Sequence, residues 1–354
     1  MVPLEEILKK AVRDAASDIF IIAGGPLSYK VQGHIVPMQL IDKLQPEDTR
    51  SLIEQIYSQA NRSEEKYKTS GDDDFSFAIA HLARFRINTY CQRGSQAAVI
   101  RIVPFSIPDY TQLGIPEEVM KVSRLLHGMV LISGTAGSGK STTQACIIDA
   151  INRQRQAHVV TLEDPIEYLH RNNQSIISQR EISIDTKNYL SGLRACLRQA
   201  PDVILLGEMR DAETIQTAMT AAETGHLIIA TLHTKGAVNT IDRIIDSFPS
   251  NQQSQVRIQL SMVLDSVISQ QLLPGVKGGM VPAMEIMKST PAIKNMIRDS
   301  KTYQIDNAIQ SSNKIGMISM DQSVFDLYRE KRITGETALE YAVNPEQMKR
   351  KLEV

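Results

Sequence analysis

The sequence has 354 residues, a formal net charge of −1, 42% hydrophobic residues and 22% charged residues. Such a chain is too long for one ordinary core, so two domains are expected, and its composition excludes an intrinsically disordered protein. Tryptophan is absent and aromatic residues make up 5% of the chain. Because neither a basic surface nor an aromatic stacking platform is indicated, we expect no nucleic-acid partner.

Hydropathy and cysteine usage indicate where the protein resides. The sequence contains no apolar run of membrane-spanning length and no signal-peptide core at its N-terminus. Cys91, Cys146 and Cys196 lie far apart, which argues against a disulfide framework or a structural zinc site and fits a reducing cytoplasm. We therefore expect a cytoplasmic protein that is peripheral to any membrane and reaches it through a protein partner.

The first third of the sequence predicts a small mixed domain. Helical patterns cover residues 4–16 and 46–60, the second with proline at its start. Strand patterns cover residues 18–22, 28–32, 75–79, 83–90 and 97–103. The simplest assembly is an α+β domain over residues 1–103, built around one sheet. A linker is predicted at residues 104–118, which contain three prolines and a glycine.

Several arginines lie on or between the last two strands of this domain. Arg84 and Arg86 point to one face because side chains alternate along a strand, and Arg93 and Arg101 follow. A basic stripe of this kind is usually a solvated sheet face. Alternatively, a nucleotide site poor in cations would gain from arginines supplied across a subunit contact.

A complete phosphate-binding loop follows the linker. Residues 129–133 predict a buried strand leading into it, and residues 142–151 predict a helix leaving it. Backbone N–H groups of such a loop surround phosphate oxygens, while Lys140 reaches the β- and γ-phosphates and the Ser141 hydroxyl ligates Mg²⁺. The sequence therefore predicts that a nucleoside triphosphate binds at Gly134, Thr135, Ala136, Gly137, Ser138, Gly139, Lys140, Ser141 and Thr142.

Three more apolar runs, residues 158–162, 203–206 and 227–232, alternate with predicted helices, as in a parallel sheet covered on both faces. The carboxyl ends of such strands line one crevice. Glu163 follows the first run and suits polarisation of the attacking water, although the Glu-Asp-Pro sequence alone also fits a solvated turn. Glu208 follows the second run and suits a metal ligand. His226 precedes the third run and His233 follows it, and either could report on the γ-phosphate or be structural.

In this order the motifs resemble those of the hexameric secretion ATPases, and within them the type IV pilus retraction ATPases. The segments that resemble the Walker A, Asp box, Walker B and His box motifs are residues 134–143, 161–167, 201–211, and 220–226 with 231–234. Residues 17–20 and 33–36 resemble the N-terminal domain of the family, so the resemblance covers nearly the whole chain.

The resemblance implies an α/β protein with a RecA-like P-loop ATPase core, residues 119–354 with C-terminal helices, and a smaller PAS-like α+β domain before it. It also implies that ATP is hydrolysed with Mg²⁺, with Glu163 as the catalytic glutamate. Ser141 and Glu208 would hold the metal, and Gly207 stands where many such proteins have Asp. Arg86 and Arg101 match arginines that act on a neighbouring subunit's nucleotide. The implied catalytic residues are Glu163, Glu208, Arg86, Arg101 and His233, and His226 joins the nucleotide site.

Residues 292–299 resemble a motif of the retraction ATPases, with conservative departures at Lys294, Met296 and Asp299. As a helix, this segment places Ile293, Met296 and Ile297 on one face. The chain lacks the four cysteines of the zinc insertion common in extension and type II secretion ATPases.

The resemblance therefore implies a homohexamer that couples ATP hydrolysis to pilus retraction and twitching motility. Its implied partners are an inner-membrane platform protein and, as a further option, a paralogous retraction ATPase. The alternatives are a pilus extension or type II secretion ATPase, a RecA-like nucleic-acid motor, and an inactive assembly subunit.

Overall fold

In the computed structural model, which describes residues 2–31, 33–80, 82–103, 107–312 and 315–353, the chain divides into two units. The first comprises Met1–Ser106 and the second Ile107–Val354. Residue 32, predicted as the end of a strand, and residues 104–106, predicted as the start of the linker, lie outside the described residues. Among the residues described, no helix combines the length and apolarity needed to cross a bilayer.

One antiparallel sheet organises the first unit. Its strands are β1 (Asp18–Ile21), β2 (Ser28–Val31), β3 (His34–Pro37), β4 (Asp72–Ile79), β5 (Ala83–Gln92) and β6 (Ser95–Val103), and its helices are α1 (Leu4–Arg13), α2 (Pro46–Gln59) and α3 (Glu65–Ser70). The strand order is β3-β2-β1-β6-β5-β4. The predicted α+β organisation is confirmed. The short strand β3 was not predicted because it is exposed along its length and lacks apolar alternation.

The first unit buries one face of this sheet against its helices. Along β5, buried residues such as Phe85 and Ile87 alternate with half-buried ones such as Arg84 and Arg86. Phe85 and Ile87 share a hydrophobic cluster with Leu8 of α1. The arginines therefore lie on the face opposite the core.

The second unit is built on a seven-stranded sheet. Its strands are β7 (Gly128–Ser133), β8 (His158–Glu163), β9 (Ile176–Glu181), β10 (Val203–Leu206), β11 (Leu227–Leu232), β12 (Leu264–Pro274) and β13 (Met280–Lys288). Its helices are α4 (Tyr110–Leu113), α5 (Glu117–Met120), α6 (Lys140–Gln154), α7 (Tyr189–Cys196), α8 (Ala212–Glu223), α9 (Ala237–Asp246), α10 (Ser250–Val263), α11 (Pro291–Arg298), α12 (Ile305–Ser311), α13 (Met320–Arg329), α14 (Gly335–Tyr341) and α15 (Pro345–Leu352).

Parallel pairing sets the arrangement of this sheet, whose order is β13-β12-β7-β11-β10-β8-β9. Among the described strands of this seven-stranded sheet, only β13 runs antiparallel to its neighbour. Alternate residues of these strands pack in two hydrophobic clusters, one on each face of the sheet. Leu162 packs in a cluster with residues of α7 and α8, whereas Val159 packs in the cluster that contains residues of α6. Burial on both faces explains why the strands form continuous apolar runs.

Part of the segment predicted as a linker is ordered against the second core. Residues 107–118 include α4 and the start of α5. Ile115 is buried, and Ile107, Tyr110 and Leu113 pack against the α6 side of the sheet. These residues therefore belong to the second unit, because their apolar side chains complete its core.

The first unit contains a buried carboxylate on β4. Asp73 accepts hydrogen bonds from Arg62 Nε at 2.9 Å and Nη2 at 3.1 Å, and Lys66 Nζ lies 2.8 Å away. Burial raises the pKa of Asp73, but the bonds from Arg62 and Lys66 outweigh it and hold that pKa below its usual range. Because the folded-state pKa is depressed, the stabilisation is present at neutral pH and is lost as pH falls.

We expect Asp73→Asn to lower the free energy of unfolding of this unit by about 2 kcal/mol, because it removes the buried charge that pairs with Arg62 and Lys66. Calorimetric unfolding between pH 4 and pH 7 should show a smaller gain in stability with rising pH than in the unaltered protein. Asp72→Asn, at an exposed position on the same strand, is the matched control. Equal unfolding temperatures for both variants would contradict the assigned role of Asp73.

Candidate nucleotide-binding and hydrolysis site

The phosphate-binding loop connects β7 to α6 and packs against β12. Gly134 and Gly139 have φ angles of +147° and +87°, which favour glycine. A side chain at Gly134 would also collide with the carbonyl of Gln270 on β12, and one at Gly139 would lie 2.8 Å from Gln270 Nε2. Gln270 Oε1 in turn accepts a hydrogen bond from Thr143 Oγ1 at 2.7 Å. The loop is therefore shaped by β12 as well as by its own sequence.

The Lys140 side chain folds back onto the phosphate-binding loop. Its Nζ donates to the carbonyl oxygens of Gly134 at 2.8 Å and Thr135 at 2.9 Å. Burial lowers the pKa of Lys140, while the charges of Glu208 and Glu167 oppose that effect. The ammonium group is thus held beside the loop backbone, where it can meet a phosphate.

The loop fits a bound polyphosphate. Ser138 is buried, and its hydroxyl has no hydrogen-bond partner among the described residues. The start of α6 adds the positive end of a helix at Lys140 and Ser141. A cavity of about 920 Å³ adjoins the loop residues Thr135 to Ser138 and the β12 residues Ser269 to Leu272. An unpartnered buried hydroxyl and a glycine-shaped cradle are what a phosphate group would complete.

Glu163 ends β8 and is held by two side chains. Its Oε1 accepts hydrogen bonds from Thr161 Oγ1 at 2.6 Å and from Gln179 Nε2 at 3.1 Å. Burial raises the pKa of Glu163, and these hydrogen bonds counter it only in part. A carboxylate with a raised pKa at a strand end is suited to take a proton from water.

Glu208 lies just past the end of β10. Its Oε2 is 2.6 Å from Arg210 Nη2, and its Oε1 is 3.4 Å from His233 Nε2. The structure therefore brings together two predicted catalytic residues, Glu208 and His233. Arg210 is a direct partner of Glu208.

Gly207 has a steric reason to lack a side chain. A Cβ atom there would lie 2.9 Å from the Tyr189 hydroxyl, 3.2 Å from the Leu162 carbonyl and 3.3 Å from the Glu163 Cα. The backbone of residue 207 thus passes close to β8 and α7, so an aspartate there would require the Tyr189 side chain and the β8 backbone to shift. This packing favours glycine at position 207 and leaves Glu208 as the acid at this strand end.

Register brings the strand ends to one edge of the sheet. Leu162 pairs with Leu206, Leu206 with Ala230, and Leu232 with Ser133. The residues at or just after the ends of these strands therefore lie at this edge of the sheet: the loop at Gly134, Glu163, Glu208 and His233.

The structure does not bring His226 to this edge. His226 precedes β11, and its carbonyl accepts from the N–H of Gly128 at the start of β7. Its Nδ1 lies 2.9 Å from the Ala221 carbonyl. Because strands rise about 3.3 Å per residue, His226 and His233 lie about 23 Å apart. The predicted nucleotide contact by His226 within one chain does not fit this placement.

Arg86 and Arg101 lie on the first unit and face each other across β5 and β6. They line a cleft of about 260 Å³ with Asp18, Asp74 and Asn88. Arg101 Nε donates to Asp18 Oδ1 at 3.0 Å. Like charges directly opposite in a ladder are destabilising, so this pair needs either its acidic neighbours or an anion.

Several supporting residues were missed from the sequence. Gly236 N–H donates to Ser269 Oγ at 2.9 Å and Ala237 N–H to Glu285 Oε1 at 2.7 Å, which fixes the segment after His233. The polar run Ser269-Gln270-Gln271 inside an otherwise apolar strand is a sequence feature that could have identified Ser269. No sequence feature identifies Gln179, because nothing in the sequence shows that its strand pairs with β8.

Comparison with known proteins identifies the family of this chain. Residues 2–322 match the family described as type II/IV secretion system protein. The type IV pilus retraction ATPase PilT of Pseudomonas aeruginosa is 41% identical over 343 residues, 97% of this chain and 99% of that protein. The type IV pilus ATPase PilU of the same organism is 35% identical, over 96% of this chain and 88% of its own.

A solved structure agrees over the full length. The crystal structure of the pilus retraction motor PilT with bound ADP superposes with a TM-score of 0.91 at 44% identity, covering 99% of this chain and 100% of that one. The predicted fold class is confirmed. The chain belongs to the type II/IV secretion system family of P-loop ATPases.

Proposed function

We propose that this protein is a homohexameric ATPase that couples ATP hydrolysis to retraction of a type IV pilus by depolymerising its pilin. The observation that carries the proposal is full-length similarity to PilT, together with Lys140, Glu163 and Glu208 at one sheet edge. The similarity includes the first unit and the C-terminal helices, and is not confined to the ATPase core.

The phosphates of ATP would be bound by the loop from Gly134 to Thr142. Its backbone N–H groups and the Lys140 ammonium supply the positive charge, and the buried Ser138 hydroxyl gains a partner. Ser141 and Glu208 would hold Mg²⁺, which neutralises charge on the phosphates when bound. Glu208 keeps Arg210 and His233 as its own partners, so its orientation is fixed before nucleotide arrives.

Glu163 would act as the base toward the attacking water. Burial keeps its pKa above the usual carboxylate range, which improves its match to neutral pH. His233 contacts Glu208 and would link the metal ligand to the loop that precedes α9. In this scheme the strand ends supply the chemistry and the phosphate loop supplies the binding.

Arg86 and Arg101 would act on the nucleotide of a neighbouring subunit. Among the described residues, the Arg86 side chain makes no ion pair, whereas Arg101 pairs with Asp18 at 3.0 Å. A paired arrangement of two guanidinium groups on an open sheet face suits a spreading negative charge. Assembly would then be required for turnover.

The C-terminal helix α11 would pass motion to the retraction machinery. Ile293 and Ile297 are buried and Met296 packs beside them, while Asn295 and Arg298 are exposed. The predicted apolar face is confirmed by this burial. The exposed side is available to a platform protein at the inner membrane, with the hexamer on the cytoplasmic side.

Because the chain is also similar to PilU, we include a paralogous ATPase as a further partner. A pilus extension or type II secretion ATPase remains the alternative within the family. A nucleic-acid motor is the alternative outside it, and strongly salt-dependent binding to single-stranded DNA would favour it.

We expect Glu163→Gln to retain ATP affinity and to lower hydrolysis by on the order of 10²-fold or more, because the catalytic base is lost. Lys140→Ala should instead weaken nucleotide binding itself. Steady-state hydrolysis and binding of a fluorescent ATP analogue by the purified variants distinguish the two effects. Near-normal turnover in Glu163→Gln would remove Glu163 from the catalytic role.

An equimolar mixture of Lys140→Ala and Arg86→Ala chains, co-expressed so that subunits mix, should recover part of the hydrolysis that each lacks. Some interfaces then combine an intact loop with an intact arginine. The same mixture of Lys140→Ala with Glu163→Gln is the control, because both changes affect the same chain's strand edge. Equal activity in the two mixtures would argue for a complete site within one chain.

In the organism of origin, deletion of the gene should leave surface pili in place and abolish twitching movement.

Complementation with Arg298→Glu should restore hexamers and much of the ATPase activity but not retraction, because the exposed charge of α11 is reversed. Lys277→Glu, at an exposed position in the loop between β12 and β13, controls for the charge change. Loss of pili on deletion would indicate an extension motor. Normal retraction with Arg298→Glu would show that the exposed side of α11 has no role in retraction.

A further inference from the structure

Two side chains hold the same oxygen of Glu163. Thr161 Oγ1 donates to Oε1 at 2.6 Å, and Gln179 Nε2 donates to it at 3.1 Å. Among the residues that the structure describes, Oε2 receives no side-chain donor. Two donors that converge on one oxygen fix the plane of the carboxylate and direct its second oxygen away from them.

The sheet itself sets this convergence. Thr161 and Gln179 are partners in the parallel pairing of β8 with β9. Glu163 lies two residues beyond Thr161, so it points to the same face of the sheet. That face carries α6, which begins in the phosphate-binding loop.

Both ends of the Gln179 amide are occupied. Nε2 also donates to the Tyr168 carbonyl at 2.8 Å, and Oε1 accepts from the His170 N–H at 2.8 Å. The Tyr168 hydroxyl lies 2.9 Å from Thr142 Oγ1, on the first turn of α6. The amide therefore cannot rotate, and the segment after Glu163 is tied to the nucleotide-binding helix.

We propose that Gln179, acting with Thr161, is a positioning residue that orients the Glu163 carboxylate toward the attacking water. The inference rests on the catalytic role proposed for Glu163. It assigns a role in hydrolysis to β9, which carries none of the sequence motifs.

The charged groups around Glu163 set the sign of a pH effect. The charge of Glu167 raises the pKa of Glu163, as burial does, while the bonds from Thr161 and Gln179 and the backbone of Glu167 lower it. The Tyr189 and Tyr168 hydroxyls, whose pKa values are raised by burial, stay neutral at the pH of the assay. Removing the Gln179 donor should therefore raise the pKa of Glu163 further.

The test compares Gln179→Ala with Ser178→Ala in steady-state ATP hydrolysis across a range of pH. Ser178 precedes Gln179 on the same strand and contacts His158 instead, so its loss controls for damage to β9. We expect Gln179→Ala to lower kcat roughly tenfold, since a hydrogen bond to a charged group contributes about that factor. KM for ATP should be unchanged, and the acid limb of the pH profile should move to higher pH because the base must be deprotonated to act.

Gln179→Glu and Thr161→Ser complete the design. Gln179→Glu keeps the length and the acceptor for His170, but when ionised it loses the donor and adds a like charge beside Glu163. It should therefore lower kcat and move the acid limb to higher pH at least as much as Gln179→Ala, even where alanine perturbs folding. Thr161→Ser keeps the hydroxyl donor and should retain activity, whereas Thr161→Val should lose it. Analogue binding by each variant verifies that the nucleotide site is formed.

The measurements test the catalytic role of Glu163 and the positioning role of Gln179 separately. If Glu163→Gln hydrolyses ATP normally in the same assay, the catalytic assignment fails and the positioning role fails with it. If Glu163→Gln is inactive but Gln179→Ala and Gln179→Glu match Ser178→Ala in kcat and pH profile, only the positioning role is overturned. A rise in KM with unchanged kcat would likewise overturn it.

Discussion

The site depends on one constraint, the parallel register of β7, β11, β10 and β8. That register ends four apolar strands within about two residues of one another, so the polar residue at or just after the end of each one reaches a common edge. Each strand is buried on both faces, so a shift by two residues would keep the burial pattern but separate the acids from the phosphate loop. The pairing register, and not burial alone, thus determines the geometry of the site.

Polar side chains inside the sheet convert this alignment into fixed positions. Gln270 on β12 braces the phosphate loop, and its neighbour Ser269 holds the segment after His233. Glu285 on β13 accepts from the start of α9. Buried polar groups are costly unless they are hydrogen-bonded, and here they are satisfied by the loops that carry function. Strands without motif residues therefore act as the support of the site.

The sequence predicted the features that local patterns encode. The strand, glycine loop and helix around Lys140 are contiguous, and an acid at the end of an apolar run marks Glu163 and Glu208. Contacts between distant segments left no such pattern, so the roles of Gln179, Gln270 and Tyr189 emerged only from pairing. His226 precedes β11 and so lies at the opposite end of that strand from His233, and its predicted contact with the nucleotide stays a prediction. The positions of Arg86 and Arg101 within one chain also leave their catalytic role a prediction.

The close approach at Gly207 bears on any attempt to install a second acid at this strand end. The Cβ of an aspartate there would lie 2.9 Å from the Tyr189 hydroxyl, so that side chain would have to move, and the Leu162 carbonyl and the Glu163 Cα would each have to give by a few tenths of an ångström. An engineered aspartate at position 207 would therefore push on the backbone that carries Glu163, and a second acid would be gained at the cost of displacing the first.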